Sequence, residues 1–353
     1  MQILLTVMTM AVGSIQVDAR LQAILDSARS ALDAPGASAA VMLPGGRMWT
    51  GVSGIAAPGH PVTAMTVFEL GSVTKTYTAA LTLLLVEEGR LSLDASLAQW
   101  FPELPDADQV TVRQLLNHTS GLHDPAQEPD YVPALLAQPA RVWTVPDLLA
   151  RMKEPYHPPG EGWHYTNTGY HLAGKILEAV TGDSLPALTR RRLFVPHGFA
   201  RSYFGGREPV PEPRAHAFID INDDGTLEDV SALIPSTAFL TAAGAAGALL
   251  STAADAAGFM RALHAGDVLA AASRMELTRW VDRPDGNRHG LGVLRIAMDG
   301  VTLLGHKGNS AGFSAAVFHV PDVDVTIAVL TNRHATDVTP VVRALLEGLA
   351  PPT

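Results

Sequence analysis

The stretch SVTKTYTAALTLLLVEEG, residues 72–89, predicts a helix that runs from Ser72 to Glu88 and ends at a glycine. Residues 79–86 are apolar on nearly every face, which is typical of a helix buried inside a domain rather than lying on its surface. Ser72 and Lys75 are three positions apart, so they share one face at the start of this helix. The sequence therefore predicts a buried central helix that carries a serine and a lysine side by side.

The rest of the chain divides into strands near both ends and helices in the middle. Runs of β-type residues bounded by turn signals predict strands at 39–43, 48–52, 291–298, 301–304, 313–320 and 325–330. Helices are predicted at 17–32 and 338–349. This order predicts an α/β (α+β) fold, in which both termini form one sheet flanked by helices and a mainly helical domain is inserted. We expect one unit with a sheet subdomain at 17–70 and 245–350 and a helical subdomain at 72–244.

Composition and charge exclude several classes of protein. Of the 353 residues 47% are hydrophobic and 17% charged, which is enough apolar material for a sizeable core. The formal net charge of -10 argues against a nucleic-acid partner, because a phosphate backbone requires a basic face. The sequence contains no cysteine, so disulfides, thiolate metal sites and a cysteine nucleophile are excluded.

The N-terminal segment leaves the compartment open between cytoplasm and secretion. Residues 3–12 are apolar, but the run is short and no lysine or arginine precedes it. A weak secretory signal and an ordered first segment are both consistent with this pattern. No other segment approaches ~20 uncharged apolar residues, and we expect no membrane span.

Ser72 and Lys75 form the first candidate catalytic pair. The chain has four lysines, and only Lys75 has a serine three positions earlier. A serine hydroxyl is a poor nucleophile until a base removes its proton. A lysine inside an apolar helix loses hydration, which lowers its pKa and allows it to act as that base. The alternative is a serine that caps the helix and a lysine at the surface.

Tyr165 and Asn167 form the second candidate pair. They follow the loop at 158–162 and precede a segment with helical spacing, so their side chains can project into a cleft. A tyrosine beside a lysine ammonium can take the serine proton and later return it to a leaving group. The Asn167 amide can hold a substrate amide. The alternative is that Tyr165 is a core aromatic residue and Asn167 a loop cap.

The stretch LLGHKGNSAG, residues 303–312, ends one predicted strand and opens another. Gly308 allows a ligand backbone to approach closely, and a main-chain N–H here can complete an oxyanion hole with that of Ser72. The alternative is a polar β-turn. The stretch also matches the G-x-S-x-G elbow of α/β-hydrolases around Ser310, but that elbow needs a helix after the serine, and residues 313–320 predict a strand.

Two patterns imitate metal sites. Residues 220–225, DINDDG, are similar to the start of a calcium loop, but Ser231 stands where such a loop has a bidentate glutamate, so we expect an acidic surface turn. His118 and His123 flank a glycine turn, the sequence has no H-E-x-x-H, and we interpret His118 as a structural histidine. We therefore expect neither a metal nor a cofactor.

Three motifs occur in the order and at the approximate spacings of the serine β-lactamase-related family: Ser72-x-x-Lys75, Tyr165-x-Asn167 and His306-x-Gly308. The stretch LLNHTSGL, residues 115–122, also resembles a hallmark of this family. The family includes class C β-lactamases, D-alanyl-D-alanine carboxypeptidases, D-aminopeptidases and related family VIII esterases. The resemblance covers residues 17–349, nearly the whole chain.

The resemblance implies a β-lactamase/transpeptidase-like fold with the site between the sheet and the helical domain. It implies that Ser72 is the acyl-accepting nucleophile and that Lys75 and Tyr165 are base and acid, in an order that the sequence leaves open. The remaining implied roles are substrate contacts from Asn167, His306, Lys307 and Gly308, and an oxyanion hole from the main-chain N–H groups of Ser72 and Asn309.

Lys307 departs from the family pattern. In β-lactamases and carboxypeptidases the third motif usually starts with lysine, followed by a small hydroxyl residue, whereas here His306 takes the first place and Lys307 the second. We expect Lys307 at the mouth of the site, where its charge can pair with an anionic substrate group and its bulk can hinder a bicyclic β-lactam. The alternative is that it points away from the cleft, because strand residues alternate between faces.

The sequence therefore predicts a cofactor-independent serine hydrolase that forms an acyl-Ser72 intermediate from an ester, a D-amino-acid amide or peptide, or a β-lactam. Two alternatives keep the acyl-enzyme: an acyltransferase that passes the acyl group to an alcohol or amine, and a non-turnover penicillin-type sensor. The expected partner is a small molecule or short peptide. The natural substrate and the oligomeric state stay open.

Overall fold

The computed structural model describes residues 14–350, so the apolar segment 3–12 lies outside the described residues. The helices in this range are α1 (Ser14–Ala31), α2 (Thr74–Glu87), α3 (Val112–Asn117), α4 (Tyr131–Ala137), α5 (Val145–Leu149), α6 (Thr168–Thr181), α7 (Leu185–Thr189), α8 (Val195–His197), α9 (Thr237–Gly247), α10 (Ala253–Ala265), α11 (Ala271–Leu277) and α12 (Thr339–Gly348). The strands are β1 (Gly36–Met42), β2 (Met48–Ala57), β3 (His60–Pro61), β4 (Phe68–Glu69), β5 (Tyr203–Phe204), β6 (Phe218–Ile219), β7 (Glu228–Asp229), β8 (Leu249–Ser251), β9 (Val281–Asp282), β10 (Arg288–His289), β11 (Leu294–Met298), β12 (Val301–Ser310), β13 (Phe313–Val320) and β14 (Val325–Thr331).

One antiparallel sheet, in the order β3-β2-β1-β14-β13-β12-β11-β10-β9, is built from both ends of the chain. β1 near the N-terminus pairs with β14 near the C-terminus, so that Ala39 lies opposite Val329. This arrangement confirms the predicted fold class, a sheet formed by both termini and flanked by helices.

Helices cover both faces of this sheet. On one face α1 and α12 pack together, and Leu25, Ile327 and Leu345 belong to the buried apolar cluster between these helices and the strands. On the other face α10 packs against β1, β13 and β14. Beyond it α2 lies in the larger core, where Ala79 and Leu83 are 0% exposed, as the apolar sequence of this helix predicts.

The beginning of α2 differs from the sequence prediction. The α-helix starts at Thr74, and a 3₁₀ turn over Gly71–Val73 precedes it. Gly71 has a φ of +51°, and a Cβ atom there would lie 2.5 Å from the main-chain oxygen of Asn309. The turn therefore brings Ser72 against the end of β12 before the regular helix begins, and a glycine is required for this close approach.

The chain passes between the predicted subdomains twice, once near β4 and once near β8. These two segments lie side by side, because β4 pairs with β8 in a small sheet with β5. We propose that these crossings mark the subdomain boundaries, near residues 70–72 and 244–245. None of the helices between residues 14 and 350 has both the length and the apolar character that crossing a bilayer requires.

Candidate active site

Ser72 and Lys75 meet where the 3₁₀ turn passes into α2. The Lys75 side chain is 0% exposed. Its Nζ donates to Ser72 Oγ at 3.0 Å, to Asn167 Oδ1 at 2.7 Å and to the main-chain oxygen of Ala246 in α9 at 2.9 Å. All three N–H groups of the ammonium therefore have an acceptor, and one acceptor is the candidate nucleophile.

Burial sets the acidity of this lysine. It lowers the pKa of Lys75 from 10.5 to about 7, and the negative charge of Asp124 opposes the shift. Near neutral pH both the protonated and the neutral forms of the side chain are therefore populated. A base that takes a proton from serine and later gives it up needs this property.

Tyr165 lies against the same pair. Its ring centroid is 4.9 Å from Lys75 Nζ, and its phenol is hydrogen bonded with Ser72. Burial raises the pKa of Tyr165 above its ordinary value of 10.0, and the hydrogen bond with Ser72 offsets this only in part. The phenol is therefore protonated at neutral pH. Of the two groups beside Ser72, only Lys75 is then partly in the deprotonated form that can accept the serine proton.

Asn167 connects Lys75 to a buried carboxylate. It immediately precedes α6, and its Oδ1 accepts the hydrogen bond from Lys75. Its main-chain N and its Nδ2 both donate to Asp124 Oδ2, at 2.8 and 2.9 Å. Asp124 is 2% exposed, and its Oδ1 accepts from the main-chain N of Ala126 at 3.0 Å. We call Lys75, Asn167 and Asp124 the polar cluster.

Aromatic and imidazole rings surround Tyr165 beyond the polar cluster. His118 lies 4.4 Å from the Tyr165 ring and 4.5 Å from His289, while His306 lies 5.8 Å from His289 and 6.4 Å from Tyr165, all between ring centroids. We call these four residues the ring cluster. The three histidines are at most 2% exposed. Burial lowers the pKa of His289 to about 3 and the pKa values of His118 and His306 well below 6.5, so all three are neutral at physiological pH.

Gly308 packs against the serine turn of the protein itself, whereas the sequence led us to expect a close approach of a ligand backbone. A Cβ atom at this position would lie 1.9 Å from the main-chain oxygen of Leu70 and 3.1 Å from the main-chain N of Ser72. The glycine therefore allows β12 to pack directly against the turn that carries the serine. Asn309, the next residue, lines the same cavity as Ser72 and lies against Gly71.

The expected position of Lys307 at the mouth of the site needs correction. Its side chain is 45% exposed, and its Nζ lies 3.7 Å from Asp337 Oδ2, just before α12. Leu303, four residues earlier on the same face of β12, packs in the cluster under α1 and α12. His306 points to the opposite face, toward Tyr165. Strand alternation therefore directs the lysine away from the cleft, which is the alternative that the sequence left open.

Two adjoining cavities open around the nucleophile. The first, of 170 Å³, is lined by Ser72, Asn167 and Asn309. The second, of 570 Å³, shares Glu69, Phe239 and Ala311 with the first. Its further walls are mainly apolar: Val132, Leu136, Ile219, Val230 and Ile234.

The competing sequence patterns do not form the sites that they imitate. Ser310 is followed by the strand β13 instead of a helix, and its Oγ donates to Glu69 Oε2 at 2.8 Å, so the α/β-hydrolase elbow is absent here. The side chain of Asp220 accepts from the main-chain N atoms of Asp224 and Gly225, as in an acidic turn. Among residues 14–350 no group of three potential ligands is placed to hold a metal ion.

Several residues of the site were missed by the sequence reasoning. Asp124, His171 and His289 were not singled out, although His171 lines the serine cavity, Asp124 contacts Asn167 and His289 lies beside His306. Asp124 closely follows the LLNHTSGL stretch, which was the only local signal near it. No short motif surrounds His289.

A serine beside a buried lysine with a pKa near neutrality, on a turn and helix packed against a sheet formed by both termini, is typical of serine acyl-transfer enzymes. The family model described as Beta-lactamase matches residues 20–350. Penicillin-binding protein 4 from Amycolatopsis lactamdurans is 32% identical over 343 residues, which are 89% of this chain and 85% of that protein. The chain therefore belongs to the beta-lactamase family, and the predicted class, a serine hydrolase, is confirmed.

A solved structure and a further curated relative are also similar to this chain. A D-stereospecific amidohydrolase from Streptomyces sp. superposes with a TM-score of 0.81 at 32% identity, covering 92% of this chain and 97% of that one. Penicillin-binding protein 4* from Bacillus subtilis is 28% identical over 292 residues, which are 78% of this chain but only 62% of that protein. The chain thus spans less than two thirds of the length of most of the curated relatives that it matches.

Proposed function

We propose that the protein hydrolyses carboxylic esters and amides through an acyl-Ser72 intermediate. The observation that carries this proposal is the full burial of Lys75, which gives a pKa of about 7, at 3.0 Å from Ser72 Oγ. A neutral lysine at hydrogen-bond distance is the base that a serine nucleophile needs.

The surroundings of Lys75 support its role as the first base. When the side chain is neutral it has two N–H groups, and Asn167 Oδ1 and the Ala246 carbonyl are fixed acceptors for both. The lone pair of Nζ then faces Ser72. As Ser72 Oγ forms its bond to the substrate carbonyl carbon, its proton passes to Nζ, and the carbonyl electrons move to the oxygen. The main-chain N–H groups of Ser72 and Asn309 are our candidates for holding this oxyanion.

Tyr165 is suited to the second half of the reaction. Its phenol is protonated at neutral pH and is hydrogen bonded with Ser72, so it can pass a proton to the leaving alcohol or amine while Lys75 replaces that proton. Collapse of the tetrahedral intermediate then leaves the acyl group on Ser72. Water, deprotonated by the same pair, attacks the acyl-enzyme and releases the carboxylic acid.

The cavities support a donor with an apolar substituent. The 570 Å³ cavity adjoins the serine cavity and has mainly apolar walls. The names of similar proteins, D-amino acid amidase and penicillin-binding protein, add D-amino-acid amides and penicillins to the candidate donors. In a series of p-nitrophenyl esters we expect kcat/KM to rise by about fourfold for each methylene that enters this cavity, which is ~0.8 kcal/mol of transfer free energy. A preference for acetate over all longer chains would argue against this use of the cavity.

The central test combines labelling with turnover of a chromogenic ester. A fluorophosphonate probe should label Ser72, and Ser72→Ala should abolish both labelling and turnover, whereas the exposed Ser27→Ala in α1 should change neither. Steady release of p-nitrophenol supports the hydrolase. Product that depends on an added alcohol or amine would instead identify an acyltransferase, and a single burst would identify a penicillin-type sensor. Labelling of Ser310 would overturn the proposal.

A further inference from the structure

Asp124 is a buried acidic residue that the mechanism above leaves without a role. It is 2% exposed, and all three hydrogen bonds to its carboxylate come from N–H donors, one from Ala126 and two from Asn167. In each of these bonds the carboxylate oxygen is the acceptor. Two of the three bonds join it to the residue that also contacts Lys75.

These bonds decide which end of the Asn167 amide faces the lysine. Because Nδ2 donates to Asp124, the oxygen Oδ1 is the end that lies 2.7 Å from Lys75 Nζ. Rotation of the amide by half a turn would place its NH₂ group against the lysine ammonium and its oxygen against the carboxylate. Both contacts would be repulsive in a buried site, so the carboxylate fixes a single orientation.

We propose that Asp124 is a positioning residue of the active site: its carboxylate holds the Asn167 amide so that the carbonyl oxygen faces Lys75, and its negative charge stabilises the protonated lysine. This inference rests on the proposed function, in which Lys75 takes the proton of Ser72. Burial alone favours the neutral amine, and the charge of Asp124 shifts the equilibrium back toward the ammonium. Asp124 thus keeps the lysine able to hold the proton that it takes from the serine.

His123, next to Asp124 in the chain, pairs with Glu128 at 2.8 Å. For several other titratable groups near Lys75 and Asp124, burial shifts the pKa away from pH 7. Around Lys75 these are His118, His171, His289, His306, Tyr165 and Tyr170, and around Asp124 they are His164, Tyr131 and Tyr156. Burial lowers the pKa of each of these histidines and raises the pKa of each of these tyrosines. The charge of Arg283 reaches the ring cluster and further lowers the pKa of His306. A midpoint near pH 7 is therefore assigned to Lys75 when it is kept in His123→Gln, which removes the imidazole next to Asp124.

The test is the rate at which a fluorophosphonate labels Ser72 between pH 5 and 9, which needs no knowledge of the natural substrate. The wild-type rate should rise with pH, with a midpoint near the Lys75 pKa of about 7. Asp124→Asn should label about 10–100 times more slowly, because Asn167 loses its fixed orientation. Its midpoint should also move to lower pH by about 1 unit, because the charge that favours the ammonium is gone.

Two variants separate charge from structure. Asp124→Glu keeps the charge and should keep the wild-type midpoint even if its rate falls. Asp130→Asn removes an exposed carboxylate six residues further along, which pairs with Arg151, and should leave both rate and midpoint unchanged. If Asp124→Asn does not fold, as judged by its thermal unfolding, Asp124→Ser replaces it, since a hydroxyl still accepts N–H bonds without carrying charge.

The outcomes distinguish this inference from the proposed function. A normal wild-type profile with an unshifted midpoint in Asp124→Asn overturns the role of Asp124, whatever the size of the rate loss. A midpoint shift in Asp130→Asn as large as that in Asp124→Asn also overturns it. A wild-type rate that does not rise through pH 7, or labelling at another residue, overturns the proposed function itself.

Discussion

The polar cluster and the ring cluster both lie beside Ser72, but they differ in how completely their buried polar atoms are hydrogen bonded. In the polar cluster Lys75 has three acceptors and Asp124 has three donors. In the ring cluster, the Nε2 atoms of His118, His289 and His306 are buried without a hydrogen-bond partner among residues 14–350. A buried charge requires partners, whereas a neutral imidazole tolerates one unpaired nitrogen at lower cost. We infer that the polar cluster takes up the serine proton and that the three histidines of the ring cluster hold Tyr165 in place.

The largest expected effect is the loss of the base in the polar cluster. Lys75→Met keeps much of the apolar volume but removes the amine, and we expect the rate of ester hydrolysis to fall by about 10⁴. Steady-state turnover of p-nitrophenyl acetate measures this. Lys175→Met, which removes an exposed lysine paired with Glu178 on α6, serves as the control and should keep wild-type turnover. A loss below tenfold in Lys75→Met would show that another group is the base.

The same variant tests the energetic cost of burying Lys75. Folding lowers the pKa from 10.5 to about 7, so between these pH values the unfolded chain binds a proton that the folded chain does not. The free energy of unfolding of the wild type should therefore rise with pH relative to that of Lys75→Met, by at most about 1.4 kcal/mol per pH unit between pH 7 and 10. Urea unfolding at three pH values measures the difference, and parallel curves would contradict the shifted pKa.

Tyr165→Phe removes the one polar atom by which the ring cluster reaches Ser72. The ring contacts with His118 and His306 are kept, so stability should change little, whereas the lost proton carrier should slow turnover by about 10²–10³. The loss should be greatest for substrates with poor leaving groups, because these need protonation most. Turnover equal to that of the wild type for both an amide and an activated ester would show that Tyr165 is only a packing residue.

The ring cluster should make the fold sensitive to acid. Burial lowers the pKa of His289 to about 3, so below its ordinary value of 6.5 the unfolded chain binds a proton that the folded chain excludes. Stability is therefore lost as the pH falls from 6.5. His289→Gln should remove part of this loss, at most about 2 kcal/mol between pH 6.5 and 5, as measured by urea unfolding. The exposed His60→Gln is the control, and an identical pH dependence in the two variants would contradict the prediction.

The sequence predicted the parts of the site whose geometry is local. Ser72 and Lys75 meet because residues three apart share a helix face, and the apolar run that follows predicts the burial that lowers the lysine pKa. Tyr165 and Asn167 could be proposed because they lie between a loop and a helix. The fold class followed from strands at both ends of the chain.

The missed residues depend on contacts between distant segments. Asp124 acts on Asn167 from 43 positions away, and no pattern in the sequence indicates that pairing. His289 lies in a strand of two residues, too short for any periodicity to reveal. For Lys307 the alternation of the strand was evident, but the face that borders the cleft is set by the packing of β12 against the serine turn. Such information exists only in the folded chain.

The smallest expected effect concerns the face of β12 that points away from both clusters. Lys307 pairs with Asp337 at 3.7 Å on the face of the sheet that carries α1 and α12, so Lys307→Thr should change KM by less than about twofold for carboxylate-bearing and for neutral esters alike. Lys153→Thr removes another exposed cation and controls for the change in overall charge. Because the side chain also leaves the cleft unobstructed, Lys307→Thr should not alter the rate with a chromogenic cephalosporin. A selective rise in KM for carboxylate-bearing substrates would mean that Lys307 reaches the substrate, and the site would then extend around the edge of β12.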